Sequence, residues 1–261
     1  MIVMRMFSSY YTNRGKVRSN NEDAILVNDL LICEKDLEKC EVVELETGRS
    51  LLIVVDGMGG HERGEVASKI VLETFKEQKE NIFNVEDVKA AVKLARDRLE
   101  EYVRVNPSAH GLGCALAGMM ILENEEAIVF NVGDCRVYRF VNDNLRRLTK
   151  DHSLVELLLS EGMITPREAR EHPQRNVLTS AVVGDGYASS MEIYVNKVDI
   201  GLGGKFLICS DGLWNELVDE EIVEAMREND SCATLLKRLV EKTLKDNVSF
   251  ILLELREGSA A

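Results

Sequence analysis

Four aspartates stand at the ends of runs too apolar to be surface segments. Asp56 follows LLIVV, Asp134 follows AIVFNVG, Asp211 follows KFLICS, and Asp246 stands just before VSFILLEL. The chain holds 45 Asp and Glu residues, so one aspartate alone signals nothing; its default is a solvated surface group. A carboxylate at the end of a buried strand differs, because burying an unpartnered charge is costly. In an antiparallel sheet, an acid at the start of one strand lies beside acids at the ends of its neighbours. One such arrangement puts all four in a single crevice, where their repulsion calls for cations. The donors on offer are oxygens, and His61, His110, His152 and His172 show no HxxxH-like spacing. Hard ions fit that set: magnesium or manganese, with calcium as an inert competitor.

Taken singly, each motif has a plain reading. Asp56-Gly57 and Asp211-Gly212 are favoured turn pairs, Asp246-Asn247 reads as a loop, and Asp134 could cap the chain or pair with Arg136. The joint occurrence of all four at strand ends favours metal. The glycines of DGMGGH and SDG would let the backbone approach an ion and leave a carbonyl free as a ligand. Upstream, VRSNNED brings Arg18, Glu22 and Asp23 together. They form a surface ion pair, or else Arg18 offers a phosphate its bidentate fork while Glu22 and Asp23 hold metal-bound waters.

These residues need a scaffold. At 261 residues, 45% hydrophobic and 30% charged, the chain can bury a sizeable core. Without a Gly/Pro linker, it reads as one domain over 1–261. Strands are expected at Ile25–Ile32, Leu51–Val55, across ALAGMMIL, AIVFNVG, RVYRFV and LRRLT, and near Met191–Val198, Lys205–Cys209 and Val248–Leu255. Glu34–Ser50 reads as a hairpin excursion. Helices are expected at Gly64–Glu80, Val85–Val105, Asp219–Glu228 and Cys232–Leu244. Antiparallel strands with segregated helix pairs predict an α+β fold, helices covering both faces of a sheet sandwich. Ser153–Arg175, with Gly162, Pro166 and Pro173, reads as a short helical lid.

A formal net charge of −13 excludes a basic footprint for nucleic acid and a polybasic membrane anchor. No apolar run reaches membrane-spanning length, and MIVMRMFSSYY is too short and interrupted for a secretory signal. A cytoplasmic protein is expected. Its six cysteines, with no CxxC pair, are expected to be reduced and in or near the core. A Cys33–Cys40 bridge stays open for an extreme thermophile.

In order, NRGKVRSNNED, IVVDGMGGHERGEVAS, FNVGDCRVY, LTKDHS, RNVLTSAVVG, LICSDGLW and DNVSFILL make the chain resemble the PPM (type 2C) metal-dependent protein phosphatases in their bacterial or archaeal single-domain form. The likeness spans about Asn13 to Leu253. It implies a four-layer α-β-β-α sandwich of two antiparallel sheets flanked by helix pairs, with a flap at about 151–176. It also implies two Mn2+ or Mg2+ ions. Asp56 would bridge them, the Gly57 carbonyl would bind one, and Asp211 and Asp246 would complete the other. Asp134 would hold a third, weaker ion and Arg18 the phosphate, with Glu22 and Asp23 behind the ligands. The implied reaction is in-line attack of a metal-activated hydroxide on phosphoserine or phosphothreonine of proteins phosphorylated by Ser/Thr kinases. Cys135, the Gly113-Cys114-Ala115 triplet and Ser249 depart from the family pattern. Met58 stands where eukaryotic members have a histidine, which leaves His61 as a weaker candidate acid. Two other readings are a weak pseudophosphatase that docks phosphoproteins, and a two-metal nuclease or phosphodiesterase, which the acidic charge disfavours.

Overall fold

Side-chain alternation along the strands builds the sandwich. In β5 (Ser50–Met58), Leu52 and Val54 join one buried cluster while Leu51, Ile53 and Val55 join another. Successive strand residues face opposite sides, so β5 is covered on both faces. β2 (Ala24–Val27), β6 (Gly113–Ile121) and β7 (Glu126–Val132) divide between the same two clusters. The computed structural model describes residues 3–46, 48–59, 63–123, 125–185, 191–201 and 204–258. Among them, β11 (Tyr194–Asp199), β7, β6, β5, β2 and β3 (Leu30–Cys33) form one sheet in that order, with β10 (Val182–Val183) paired to β6. The second sheet runs β4 (Glu41–Leu45), β1 (Val3–Asn13), β13 (Val248–Gly258), β12 (Lys205–Cys209), β8 (Arg136–Val141), β9 (Asn144–Arg147). The strand pairings in both are antiparallel.

Helices cover the outer faces. α1 (Gly64–Gln78) and α2 (Val85–Val105) add Val71, Phe75, Val92 and Leu99 to the cluster on the first sheet's outer side. The start of α2 is fixed by a capping box, in which Asn84 accepts from Glu86 and Asp87 N–H and Asp87 reaches back to Asn84 N–H. α6 (Asp219–Arg227) and α7 (Ser231–Val240) pack Ile222, Met226, Leu235 and Leu239 into the other cluster. The fold is the expected α-β-β-α sandwich. Between β9 and β10 lie α3 (Leu154–Ser160) and α4 (Pro166–Glu171), capped by Ser153 and Thr165. They occupy the predicted flap.

Several expectations need correction. Ile25–Ile32 is a hairpin rather than one strand: Asn28 takes φ 53° and its side chain accepts from Leu51 N–H at 2.8 Å. Among the described residues of Glu34–Ser50, β4 pairs with β1 rather than within the excursion. β1 itself covers the stretch weighed only as a signal peptide. Asp211 opens a one-turn helix, α5 (Asp211–Trp214). The cysteines are not all reduced: Cys40 is bonded to Cys232 with Cα atoms 6.2 Å apart. Cys33 and Cys40 pack against different clusters, so they are not the bridging pair, and cysteine usage no longer argues for a reducing compartment. Among the described residues no helix is long and apolar enough to cross a membrane.

Candidate active site

The four aspartates come from both sheets, not from one as the strand-end argument supposed. Asp56 lies inside β5, two residues on from Val54, and so shares its face toward the second sheet. Asp134 follows β7, Asp211 follows β12, and Asp246 precedes β13. The first two reach the crevice from one sheet and the last two from the other. With Arg18, Glu22 and Gly57 they line a cavity of about 630 Å3. Among the described residues no three His, Cys, Asp or Glu side chains are gathered into a ready-made ligand set; the acids face the space from different walls. His61 lies outside the described residues.

Close backbone packing explains two glycines. A Cβ on Gly57 would meet the carbonyl oxygens of Gly64 and Glu22, and one on Gly212 would meet that of Asn247. Neither has the positive φ that a tight turn demands. Glycine is needed here for approach, not for turning.

Each acid is held differently. Asp246 accepts from Arg18 Nη2 at 2.8 Å and from Asn247 N–H at 2.9 Å. Asp211 accepts from Asn215 Nδ2 at 3.0 Å. Glu22 Oε1 takes the N–H of Gly64 at the start of α1, at 3.2 Å. Asp23 is 1% exposed; its Oδ2 accepts from the Ser210 hydroxyl at 2.8 Å, and its Oδ1 has no hydrogen-bond partner among the described residues. Arg136 does not pair with Asp134. Its guanidinium forks onto Asp151, with Nε at 3.0 Å and Nη2 at 2.6 Å from Oδ2.

Residues to which the sequence assigns no role in the site complete the frame. Asn247 is a hub: its Oδ1 accepts from Glu22 N–H, and its Nδ2 donates to the carbonyls of Arg14 and Asn20. It thereby ties the Arg18 segment to Asp246. Ser210 N–H donates to the Ser249 carbonyl, and Ser249 Oγ lies 2.7 Å from Thr12 Oγ1. Cys135 is fully buried beside the acids, and burial followed by their charge pushes its thiol up. The run of DN before an apolar strand was the one available signal for Asn247.

The electrostatics agree with a cation site. Burial, then repulsion from Asp23, Asp211, Asp134 and Asp246, drives the Asp56 carboxyl well above its ordinary range. Burial and then Asp211 do the same to Asp134. Asp211 is pushed up to about 6, by burial first and Asp246 next. Asp23 is pushed up to about 7 by burial, against the Ser210 and Ser249 hydroxyls. Oxygen donors, costly ionisation and an unsatisfied buried carboxylate oxygen together suit hard divalent ions.

A stability prediction follows. Carboxyls whose folded pKa is raised hold protons that the unfolded chain has released, so they favour folding at low pH. That contribution is complete below the ordinary value of 3.8 and is lost as pH climbs through about 6 for Asp211 and about 7 for Asp23. Chelator-treated protein should therefore melt at a lower temperature at pH 7.5 than at pH 5.5, and Asp211→Asn should flatten the decline. Thermal unfolding across that range checks it; a melting temperature that rises with pH would contradict the electrostatic account.

The described architecture defines a class: an α-β-β-α sandwich with an acid-lined crevice where its two sheets meet. The chain belongs to the protein phosphatase 2C family, whose model matches residues 36–252. It is 31% identical over 247 residues to serine/threonine protein phosphatase PstP of Mycobacterium tuberculosis, covering 92% of this chain but 43% of that protein. The chain thus spans less than half of that relative's length. It is 28% identical to serine/threonine phosphatase stp of Listeria welshimeri, covering 95% and 96% of the two chains. It also superposes on a crystal structure of the PstP catalytic domain in complex with two manganese ions. The TM-score is 0.79 and the identity 25%, over 97% of this chain and 100% of that one.

Proposed function

We propose that this chain hydrolyses phosphoserine and phosphothreonine on proteins, using two manganese or magnesium ions. The supporting observation is one cavity that joins Asp56, Gly57, Asp134, Asp211 and Asp246 to Arg18. Asp56, the Gly57 carbonyl, Asp211 and Asp246 would hold the two ions, and Asp134 a third, weaker one. Ions bound there would polarise phosphoryl oxygens and lower the pKa of water. Glu22 and Asp23 back the ligands, Glu22 braced by α1 and Asp23 by Ser210. Arg18 supplies the cation that an acidic protein otherwise lacks for an anionic substrate. Its guanidinium carries five N–H groups, and the bond to Asp246 uses one. The substrates would be cytoplasmic proteins phosphorylated by serine/threonine kinases.

Phosphate release from phosphothreonine peptides, run beside phosphotyrosine peptides and a phosphodiester, tests the proposal. Release that needs manganese, stops with chelator and favours phosphothreonine is expected. No release, or preference for the diester, would overturn it. For Arg18, the fork geometry predicts that Arg18→Ala raises KM roughly five- to tenfold, and that Arg18→Lys recovers part of it. An unchanged KM in Arg18→Ala would return the residue to a purely structural ion pair with Asp246.

A further inference from the structure

Among the described residues Asp134 has no ion pair to fix its carboxylate, yet the residues on either side of it are gripped by two consecutive residues at the leading end of the flap. On one side, the backbone N–H of His152 donates to the Gly133 carbonyl at 2.9 Å. The N–H of Gly133 returns a hydrogen bond to His152 Nδ1 at 3.0 Å. On the other side, Arg136 is forked onto Asp151. Asp151 and His152 are 4% and 2% exposed, so solvent does not compete for these bonds. The turn between needs such support: Gly133 sits at φ 92°, and Asn131 Nδ2 also donates to its carbonyl at 3.0 Å.

The same dipeptide is fastened to the flap's trailing end. Thr179 N–H donates to the His152 carbonyl, and Leu154 N–H donates to the Val177 carbonyl, both at 2.9 Å. Leu178 and Thr179 line the cavity that holds Asp134. A continuous set of short bonds therefore runs from cavity wall to flap, through His152, to the turn that carries Asp134. Because Nδ1 accepts a hydrogen bond, the imidazole proton sits on Nε2, which is buried without a hydrogen-bond partner among the described residues. A Glu192 carboxylate oxygen lies 3.8 Å from it.

We infer that Asp151 and His152 are a positioning pair that sets the Asp134 carboxylate and couples it to the flap. This rests on the phosphatase reading above, with His152 acting through the Gly133 peptide and touching no substrate. Asparagine at 152 places an amide oxygen where Nδ1 stands and keeps the acceptor, whereas glutamine carries its amide one bond further out.

The test compares His152→Ala, His152→Asn and His152→Gln. His152→Ala should lower kcat on a small aryl phosphate about tenfold or more with KM within about twofold, and His152→Asn should recover it to within about threefold while His152→Gln does not. Combined with Asp134→Ala, His152→Ala should add little further loss, because both act through one carboxylate. Hydrogen exchange at the Gly133 amide gives a readout independent of turnover: slow in wild type and His152→Asn, fast in His152→Gln. If His152→Ala does not fold, the asparagine and glutamine variants carry the comparison. Full additivity with Asp134→Ala, or equal kcat in the asparagine and glutamine variants, would overturn the inference. An inactive wild-type protein would instead overturn the phosphatase reading, and amide exchange would still decide whether His152 braces the turn.

Discussion

Asp56→Asn should lose about three orders of magnitude in turnover while keeping its fold. Its position explains the size of the effect. The side chain follows Val54 on the inter-sheet face of β5, so it projects into the seam where acids from the two sheets meet. Asp211 follows β12 and Asp246 precedes β13, both strands of the second sheet; of the four aspartates, Asp56 is the one carried within a strand. Asparagine keeps the size but removes the charge that two cations would share. It also removes repulsion that burial amplifies around Asp23, Asp134, Asp211 and Asp246. The chelator-treated variant should therefore melt no lower than wild type, while its calorimetric affinity for manganese falls. Retention of more than about a tenth of wild-type activity at saturating manganese would end the metal-centre reading.

What could be read from the sequence follows a physical division. Val85–Val105 was legible to both ends, because its apolar repeat and its Asn84-to-Asp87 cap are local. The buried character of Leu51–Val55 was legible too, since a strand covered on both faces has no polar face to hide it. β1 was not. Its buried face includes Ser8 and Thr12 beside Met6 and Tyr10, so polar residues occupy core positions and blur the alternation. The hairpin within Ile25–Ile32 depends on Asn28 adopting a left-handed backbone, which composition did not reveal. The aspartates were visible because charge beside an apolar run is conspicuous. Their framing was not: Asn247 and His152 act through hydrogen bonds to peptide groups, and Ser210 through one to the Asp23 carboxylate, that only tertiary structure brings near. Cys40 and Cys232, 192 residues apart, left no spacing signal at all.

Asp134→Ala should leave two manganese ions bound in calorimetric titration and cut kcat about a hundredfold. The alternative pairing with Arg136 is removed by geometry, since that guanidinium is committed to Asp151 and lies 3.6 Å over the Trp214 ring. Trp214 Nε1 in turn donates to the Asp134 backbone carbonyl at 3.1 Å, so the main chain is anchored whatever side chain stands at 134. Alanine therefore removes the carboxylate without loosening the turn. Asp134 is 6% exposed, and burial followed by Asp211 raises its carboxyl pKa, so ionisation there opposes folding at neutral pH. Deleting it relieves that opposition, and the chelator-treated variant should melt at or above the wild-type temperature. Asp134 also lacks a following glycine of the kind that packs the backbone of Asp56 and Asp211 closely, which suits a loosely held ion more than an anchoring one. Lost turnover with intact stability and two-ion binding would set Asp134 apart from Asp56, whose loss should weaken metal binding itself. A variant that binds two ions and turns over phosphopeptide at the wild-type rate would remove Asp134 from the chemistry altogether.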